Sequence, residues 1–583
     1  MERIPRRRIK LKTPADETAY KDAVTRMCAI MEMPEEDIEL DETLALDLAT
    51  KYPTGGVSRT LDNAEVRADL SNWVQPMIDE VTSLEKTTGA IVRISPSEAR
   101  EFLATHPQAQ IYPAKGVFVH KRSGKRKARG VICGNHVDKA SAEATYTETV
   151  DATAVRMVLR LGALRDMSIC GTDVSTAFLN ADLSDSAMAK GILCRAPAIF
   201  AEAGATQRGE VWIIRKALYG LRQSPRAWGI HRDRYLKTLR SADQGHGALW
   251  LKQTMCDSCV WVIHSEGGIL GWVVTYVDDI LAIAASSVGT NVIQTIMDHW
   301  KCSEMETLSE ANPEMGFLGM TLRIIPGKGY FIHQTDYVNG LLEKYDMTKC
   351  NPSKTILTNK DECLDPAEEM ELEQARTNAN WTVNAAALKQ AQKVAGELLW
   401  LATRTRVDIA YTMHRLCSIV STNPARVLRM HKCILRYLKG TADVGIFLCN
   451  TVELRKFENE QDTPLKEHFD TNIIVAYSAA SYAPSGAKSH QGIILSVAGV
   501  PCLWKSQRQS NVATSTAEAE LIAECDAFIA QKGIGELTQE LTGINPGRIL
   551  AVDNAAAVAI SIGTAGPTPW KTRHMKVESA ALS

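Results

Sequence analysis

The chain has 583 residues, of which 45% are hydrophobic and 23% charged, a globular composition that excludes wholesale disorder and allows several domains with their own cores. The net charge of −2 excludes a general attraction to nucleic acid, so any polyanion has to be bound by local basic surface. No apolar run is long enough to span a membrane, and the 14 scattered cysteines are typical of reduced thiols in a cytosolic or nuclear protein.

Residues 1–88 match no motif, and we predict an extension or linker with some helix. The first residues, MERIPRRRIKLK, lack the apolar stretch of a secretory signal, so secretion is not expected. Their basic side chains are compatible with nuclear import, although a solvated basic end is the favoured interpretation.

Residues 112–136 contain two β-rich stretches, GVFVH and RGVICGN, joined by a basic turn, and are predicted to form a hairpin. The basic residues in and beside this turn are candidates to contact phosphates: Lys121, Arg122, Lys125, Arg126, Lys127 and Arg129. A solvated face is the alternative, because most charge runs are only that. Residues 149–165 have apolar side chains at helical spacing and are predicted to pack behind the next strand.

That next strand is predicted from SICGTDVSTAFLNADL at residues 168–183, where Asp173 stands at the end of a short apolar run. Residues 174–179 are typical of a tight turn leading into a helix. Phe178 follows five residues after the aspartate. An aromatic side chain at this spacing belongs either to the core or to a site.

The block VWIIRKALYGLRQSPRAW occupies residues 211–228. Gly220 would allow a close backbone approach, and Pro225 precedes a predicted helix. Three cations of this block are candidates to bind nucleic-acid phosphates without reading sequence: Lys216, Arg222 and Arg226.

The stretch WVVTYVDDILAIAA at residues 272–285 predicts a buried hairpin that carries Asp278 and Asp279 at its tip. Two adjacent anions repel each other and resist burial unless a cation lies between them. Mg²⁺ is the obvious candidate, because it prefers carboxylate, water and phosphate oxygens. A surface turn that happens to contain two aspartates is the alternative.

Asp173 favours the metal interpretation, because two acid-bearing strand ends can meet and share two metal ions, as in-line phosphoryl transfer requires. The motifs TDVSTAFLNADL, KALYGLRQSPRAW and YVDDI also occur in one order. In that order they resemble the reverse transcriptase of Ty1/copia-type retrotransposon Pol polyproteins. The resemblance covers roughly residues 90–583.

This resemblance implies an α+β fold, a right-hand polymerase with fingers, palm and thumb followed by a ribonuclease H-like α/β domain. The expected division is an N-terminal extension at 1–88, fingers and palm at 89–333, thumb and connection helices at 334–470, and a ribonuclease H-like domain at 471–583. The implied activity is RNA-directed DNA polymerisation. In it, Asp173, Asp278 and Asp279 hold two Mg²⁺ ions, with Mn²⁺ as an alternative, while a primer 3′-OH attacks a dNTP.

Within this resemblance, Lys127 and Arg129 are expected to contact the triphosphate of the incoming nucleotide. Phe178 would close against the sugar and exclude a ribose 2′-OH. Gly220 and its block would lie under the new base pair, on an RNA or DNA template–primer.

The last segment resembles the family's ribonuclease H domain, whose two metals need four carboxylates. Glu520 and Asp553 occupy two of those positions. Ala479 and Lys576 replace the other two acids, which opposes metal binding. We therefore expect a degenerate ribonuclease H fold in which hydrolysis is weak or absent.

The alternative function is a catalytically decayed or domesticated element that binds nucleic acid without catalysis. The resemblance also implies a place in the cytoplasm, within virus-like particles, or in the nucleus. Other Pol parts such as the integrase are the implied protein partners, and no membrane is expected.

Overall fold

The computed structural model describes residues 59–561, apart from 121–124, 135–145, 185–187, 189, 244, 357–383, 461–469 and 485–487. Lys121, Arg122 and Lys576 lie outside this part, as do residues 1–58 with the basic N-terminus. The strands are β1 (Arg59–Leu61), β2 (Ile91–Ile94), β3 (Gln110–His120), β4 (Arg126–Ile132), β5 (Ser168–Asp173), β6 (Ile192–Arg195), β7 (Val211–Ile214), β8 (Arg240–Asp243), β9 (Gly247–Gln253), β10 (Val260–Ser265), β11 (Gly268–Tyr276), β12 (Asp279–Ala284), β13 (Glu306–Thr307), β14 (Glu314–Phe317), β15 (Met320–Ile325), β16 (Gly329–His333), β17 (Ile446–Cys449), β18 (Ile473–Ser481), β19 (His490–Val497), β20 (Val500–Arg508) and β21 (Gly547–Val552).

The helices are α1 (Asn63–Ala68), α2 (Val74–Thr82), α3 (Pro96–Thr105), α4 (Ala152–Leu164), α5 (Ala198–Glu202), α6 (Ser224–Thr238), α7 (Ser286–His299), α8 (Thr335–Lys344), α9 (Ala385–Arg404), α10 (Ala410–Ile419), α11 (Pro424–Gly440), α12 (Thr451–Glu460), α13 (Thr516–Thr542) and α14 (Ala555–Ser561). A 3₁₀ turn at Ala177–Asn180 follows β5. None of the helices in the described part is long and apolar enough to cross a membrane.

The first sheet has the strand order β1-β3-β6-β7-β2, with β4 added alongside β3. Strands β3 and β4 pair antiparallel from Ala114↔Ile132 to His120↔Arg126, which confirms the predicted hairpin. Helix α2 packs on β4.

Residues 59–88 belong to this first layer. Trp73, Met77 and Leu84 are buried in the same core as Phe118 of β3. Their spacing of four and seven residues puts them on one helical face, and such a face needs a packing partner. The described part of the segment predicted as an extension is therefore packed against the hairpin.

The second sheet has the order β13-β5-β12-β11-β10-β9-β8. Side chains of β11 alternate between two cores, with Trp272 and Val274 in one and Val273 in the other. Both faces are covered, by α4 on one side and by α6 and α7 on the other. This explains why the sequence is apolar at consecutive positions rather than at every second one.

Helix α4 confirms the helix predicted at 149–165. It begins after Asp151, whose side chain accepts the N–H of Thr153 at 2.7 Å. The helix packs mainly on β17 and β20, and also on β12, β16 and β11, rather than on β5 as predicted. Its Arg156 and Arg160 are almost completely buried. Arginines in an amphipathic helix are expected on its solvent-facing side. Because these two are buried instead, their guanidinium groups need hydrogen-bond acceptors inside the protein.

Backbone carbonyls from distant parts of the chain supply those partners. Arg156 donates to the carbonyl oxygens of Cys502 at 2.7 Å and of Thr403 and Arg404 at 2.9 Å. Burial lowers the pKa of Arg156 to about 10, so it stays charged at neutral pH.

The Arg160 guanidinium donates to the carbonyl oxygens of Val497 at 3.2 Å, of Ala498 at 3.0 Å and of Cys449. Together the two arginines join α4 to segments more than 240 residues away.

Helices α8, α9, α10 and α11 pack around a separate core. The third sheet, β14-β15-β16-β17, instead contributes Tyr330, Ile332 and Leu448 to the core that contains α4. The helix predicted from Gln334 onward is found as α8.

The fourth sheet has the order β20-β19-β18-β21, in which β18 and β21 are parallel and the other pairs antiparallel. Helix α13 makes the crossover between β20 and β21 and packs on β18. This is the arrangement expected of a ribonuclease H-like domain. Ile474 and Leu495 of this sheet lie in the same core as Trp272. The predicted α+β class is confirmed.

Candidate active site

Three aspartates meet at the end of the second sheet. Strands β5 and β12 pair antiparallel, and Asp173 is the direct cross-strand partner of Asp279. Directly opposite residues project to the same face of a sheet, so these two carboxylates are neighbours. Asp278 lies in the adjoining turn, where its carbonyl oxygen accepts the N–H of Val174 at 2.8 Å. The structure thus brings together Asp173, Asp278 and Asp279.

The backbone on the Asp173 side is fixed by Ser303. The Asp173 N–H donates to the Ser303 hydroxyl oxygen at 3.0 Å, and the Ser303 N–H donates to the Asp173 carbonyl oxygen at 2.9 Å. The hydroxyl of Thr172 adds a bond to the Ser303 carbonyl oxygen at 3.0 Å. Residue 303 lies far along the chain from Asp173, and nothing in its local sequence indicated this role.

The site is electrostatically strained. Burial, followed by the carboxylates of Asp278, Asp173 and Glu306, raises the pKa of Asp279 to about 7. Glu306 lies on β13, paired with the middle of β5, and was not predicted from the sequence. Like charges held this close favour either a proton or a cation among them.

The donor chemistry fits a hard divalent cation, because all three predicted ligands are carboxylates. Within the described ranges, however, no three acidic, histidine or cysteine side chains are gathered tightly enough to form a ready metal cluster. The carboxylates of Asp173, Asp278 and Asp279 would therefore have to change rotamer in order to coordinate an ion together.

Lys127 and Arg129 lie on one side of β4, separated by the buried Ala128. Both act electrostatically on Glu80 of α2, which also accepts the N–H of Gly130 at 3.1 Å. Burial raises the pKa of Glu80, and the Gly130 N–H, Arg129 and Lys127 lower it. Glu80 was not identified from the sequence, and it partly balances the two predicted phosphate contacts.

Tyr219 connects the hairpin to the aspartates. The Arg129 guanidinium carbon lies 5.3 Å from the centre of the Tyr219 ring, and the Phe178 ring centre lies 5.7 Å from it. Burial raises the pKa of Tyr219 to about 12, with smaller contributions from charges that include Asp278 and Asp173. Phe178 is half-buried between core and site, so both interpretations of it stay open.

Gly220 makes the close backbone approach that its sequence context suggested. Its φ is +91°, and a Cβ there would lie 1.9 Å from the carbonyl oxygen of Ile132. The Ile132 N–H also donates to the Tyr219 carbonyl oxygen at 2.8 Å. Any larger residue would push the 211–228 block away from β4.

The three cations of that block are not equivalent. Arg222 is exposed, whereas Lys216 is half-buried beside Asp182, with which it forms an isolated β-bridge. Arg226 donates to the carbonyl oxygen of Tyr146 at 3.1 Å. Their roles toward nucleic acid stay predictions.

The second acidic site lies in the fourth sheet. Glu520 of α13 is buried, and its carboxylate accepts the N–H of Ala480 at 2.8 Å. Burial raises the pKa of Glu520, the Ala480 N–H lowers it and Asp553 raises it. Asp553 directly follows β21, and Ala479 stands on the adjacent β18 where an acid was expected.

Comparison with known proteins finds several similar sequences and a similar structure. Residues 103–359 match the family described as reverse transcriptase (RNA-dependent DNA polymerase). The Pol polyprotein of transposon RE1 from Arabidopsis thaliana is 27% identical over 420 residues, covering 71% of this chain and 24% of that protein. That of transposon TNT 1-94 from Nicotiana tabacum is 27% identical over 455 residues, covering 77% and 31%.

The Ty1-ER2 Gag-Pol polyprotein of Saccharomyces cerevisiae is 24% identical over 451 residues, covering 76% of this chain and 23% of that protein. A solved foamy viral protease–reverse transcriptase in complex with double-stranded DNA aligns at 13% identity and a TM-score of 0.41, over 100% of this chain and 82% of that chain. The matched regions span only about a quarter to a third of the curated relatives. The matched part of this chain is therefore similar to the reverse transcriptase domains of Ty1/copia-type retrotransposon Pol polyproteins.

Proposed function

We propose that this chain is an RNA-directed DNA polymerase that transfers nucleotides from dNTPs to a primer 3′-OH on an RNA or DNA template. The observation that carries the proposal is the cross-strand pairing of Asp173 with Asp279 beside the Asp278 turn. Three carboxylates at one strand end, repelling one another, are suited to hold two Mg²⁺ ions.

In this proposal Asp173, Asp278 and Asp279 are the metal ligands. The bound ions would lower the pKa of the primer 3′-OH and stabilise charge on the leaving group. A bond forms between the 3′-oxygen and the α-phosphorus, and the bond from that phosphorus to the β-phosphate bridging oxygen breaks, releasing pyrophosphate. The proton of the 3′-OH leaves to solvent water. The raised pKa of Asp279 does not make this residue the base, because a cation bound to its carboxylate would lower that pKa again.

Residues of the first sheet would bind the nucleotide. Arg129 has a planar guanidinium that suits phosphate oxygens, and it lies over Tyr219, on which Asp278 and Asp173 also act electrostatically. Lys127 lies on the same side of β4 and would add a second cation. Phe178 packs on Tyr219 and would close against the sugar.

Lys216, Arg222 and Arg226 would hold phosphates of the template–primer without reading bases. Gly220 would keep their block close to the hairpin. The proposal further places the chain in the cytoplasm, within virus-like particles, or in the nucleus, with other Pol parts such as the integrase as partners.

The test is primer extension on an RNA template with dNTPs and Mg²⁺. The wild type is expected to extend the primer, and the Asp278→Asn, Asp279→Asn double variant is expected to lose this activity. Asp298→Asn, which changes an exposed aspartate of α7, is the matched control and should behave as wild type. Extension that survives in the double variant would overturn the proposal.

We also propose that the ribonuclease H-like domain binds RNA, or supports the rest of the fold, but does not hydrolyse RNA. The buried Glu520 carboxylate is already bonded to the backbone beside Ala479, which supports this view. Cleavage of the RNA strand of an RNA–DNA hybrid in Mg²⁺ would contradict it. Failure of the wild type in both assays would instead favour a decayed, nucleic-acid-binding relic, which direct binding of a labelled primer–template would identify.

A further inference from the structure

The residue before the acidic pair has an unusual backbone conformation. Val277 has a φ of +54°, in the left-handed region that β-branched side chains rarely adopt. It stands in the two-residue turn between Tyr276 and Asp279, which pair across the hairpin. Strain of this kind persists only where the surroundings hold the backbone in place.

Trp228 of α6 makes the contact that holds it. The indole N–H donates to the carbonyl oxygen of Val277 at 2.6 Å. The indole is itself fixed, because Trp228 is only 1% exposed and packs edge-on against Trp300 with ring centres 5.2 Å apart. A rigid donor therefore sets the orientation of the peptide that joins Val277 to Asp278.

The same helix also contacts the other acidic strand end. Helix α6 packs against the 3₁₀ turn Ala177–Asn180, which follows Asp173 by four residues. One helix is thus in contact with both backbone segments that carry the candidate metal ligands.

We infer that Trp228 is a positioning residue for the polymerase reaction: its indole N–H holds the Val277–Asp278 peptide so that Asp278 faces Asp173 and Asp279. This inference rests on the proposed function, because it assigns Trp228 a role in that reaction. The alternative is that Trp228 only fills the core.

Trp261 of β10 provides a matched control. It lies in the same core as Trp228 and is fully buried, but its indole nitrogen has no hydrogen-bond partner among the described residues. Replacement by Phe removes the same atoms at either position. Only at residue 228 does it also remove a hydrogen bond to the acidic turn.

The experiment is single-turnover primer extension by the full chain. Trp228→Phe is expected to lower the maximal rate roughly tenfold, the loss of one well-placed hydrogen bond, while the KM for dNTP changes less than about twofold. Trp261→Phe should keep the wild-type rate within about twofold once the folded fraction is equal. Equal losses in the two variants, or a loss confined to KM, would overturn the inference.

A rescue separates positioning from packing. Glycine adopts a positive φ without strain, so Val277→Gly reduces the need for an external clamp. The loss caused by Trp228→Phe should therefore fall to about twofold when it is measured in the Val277→Gly background. The same tenfold loss in both backgrounds would show that the indole acts elsewhere.

Hydrogen exchange of the backbone amides at residues 276–279 tests the inference without a measurement of primer extension. Trp228→Phe should speed exchange of these amides, whereas Trp261→Phe should not. If the wild type fails to extend a primer, the proposed function fails, but faster exchange in Trp228→Phe alone would still support the clamp. Identical exchange in all three proteins would contradict it.

Discussion

The two acidic sites of this protein differ in how their charges are balanced. In the second sheet, Asp279 is surrounded by Asp278, Asp173 and Glu306, which add to burial in raising its pKa. In the fourth sheet, Glu520 accepts a backbone N–H from Ala480 and has Asp553 as its acidic neighbour. At the first site, a bound proton or cation would relieve the repulsion. At the second site, burial and Asp553 raise the pKa of Glu520 and the Ala480 N–H lowers it, while Ala479 adds no further acid.

The largest expected effect is a difference between the two acidic sites in how much a substitution slows primer extension. Asp173→Asn should lower the rate of primer extension by roughly 1,000-fold or more, because it removes a charge that holds the metals. Asp553→Asn, at the second site, should leave extension within about twofold of wild type. Steady-state extension rates of both variants check this. A strong loss in Asp553→Asn would show that the two sites work together.

The next prediction asks whether the two regions can unfold separately. Arg160→Leu should lower the free energy of unfolding by about 3 kcal/mol, because it removes the charged hydrogen bonds to the buried carbonyl groups of Cys449, Val497 and Ala498. Denaturant unfolding followed by tryptophan fluorescence measures this.

Arg165→Leu is the control, since this exposed arginine follows the end of α4 and lies over the Trp272 ring at 5.2 Å. Its loss should cost less than about 1 kcal/mol. A separate early transition in Arg160→Leu, with most of the protein unaffected, would contradict a shared core.

A third change makes the second site resemble the first. Ala479→Asp should destabilise the protein by about 1 kcal/mol without metal, because it adds a carboxylate beside Glu520 and Asp553. Mg²⁺ should restore part of that stability. Melting temperatures with and without Mg²⁺ test this, with Ala479→Asn as the neutral control. A Mg²⁺ effect of equal size in wild type would mean that the site already binds the ion.

The smallest effect concerns pH at the contact between α10 and the fourth sheet. His414 lies edge-on to His490 with ring centres 4.9 Å apart, and burial, His490, Arg415 and Arg508 lower the pKa of His414 to about 4. A lowered histidine pKa means that the unfolded chain binds the proton more tightly. Stability should therefore be complete above pH 6.5 and decline as the pH falls toward 4.

Between pH 7 and pH 5 this decline should amount to about 1 kcal/mol, allowing for solvent screening of a half-buried group. His414→Gln should show a shallower decline in thermal melts over the same interval. If the variant and wild type lose stability in parallel, the titrating group lies elsewhere.

The sequence indicated the parts of the site that are local in the chain. Asp278 and Asp279 interrupt an apolar run, and Asp173 ends one, so their placement at strand ends followed from pattern alone. The same holds for the close approach at Gly220. The hairpins and the helix α4 observed in these regions agree with that interpretation.

The rest depended on contacts that no local pattern reveals. Ser303, Glu306 and Tyr219 become part of the site because β13 and the 211–228 block fold back onto β5 and β4. Arg156 and Arg160 read as polar positions of an amphipathic helix, and their acceptors lie hundreds of residues downstream. The role of each of these residues depends on which distant segments of the chain pack against it, and not on its residue type.

The buried arginines of α4 have a consequence for the gene. Their carbonyl acceptors lie between residues 403 and 502, in parts of the chain translated long after the aspartates. A premature stop codon upstream of residue 403 would remove these acceptors and the segments that cover α4, and would expose the face of α4 that they bury. Under the proposed function, selection for DNA synthesis alone would therefore preserve the downstream reading frame, whether or not the ribonuclease H-like domain cuts RNA.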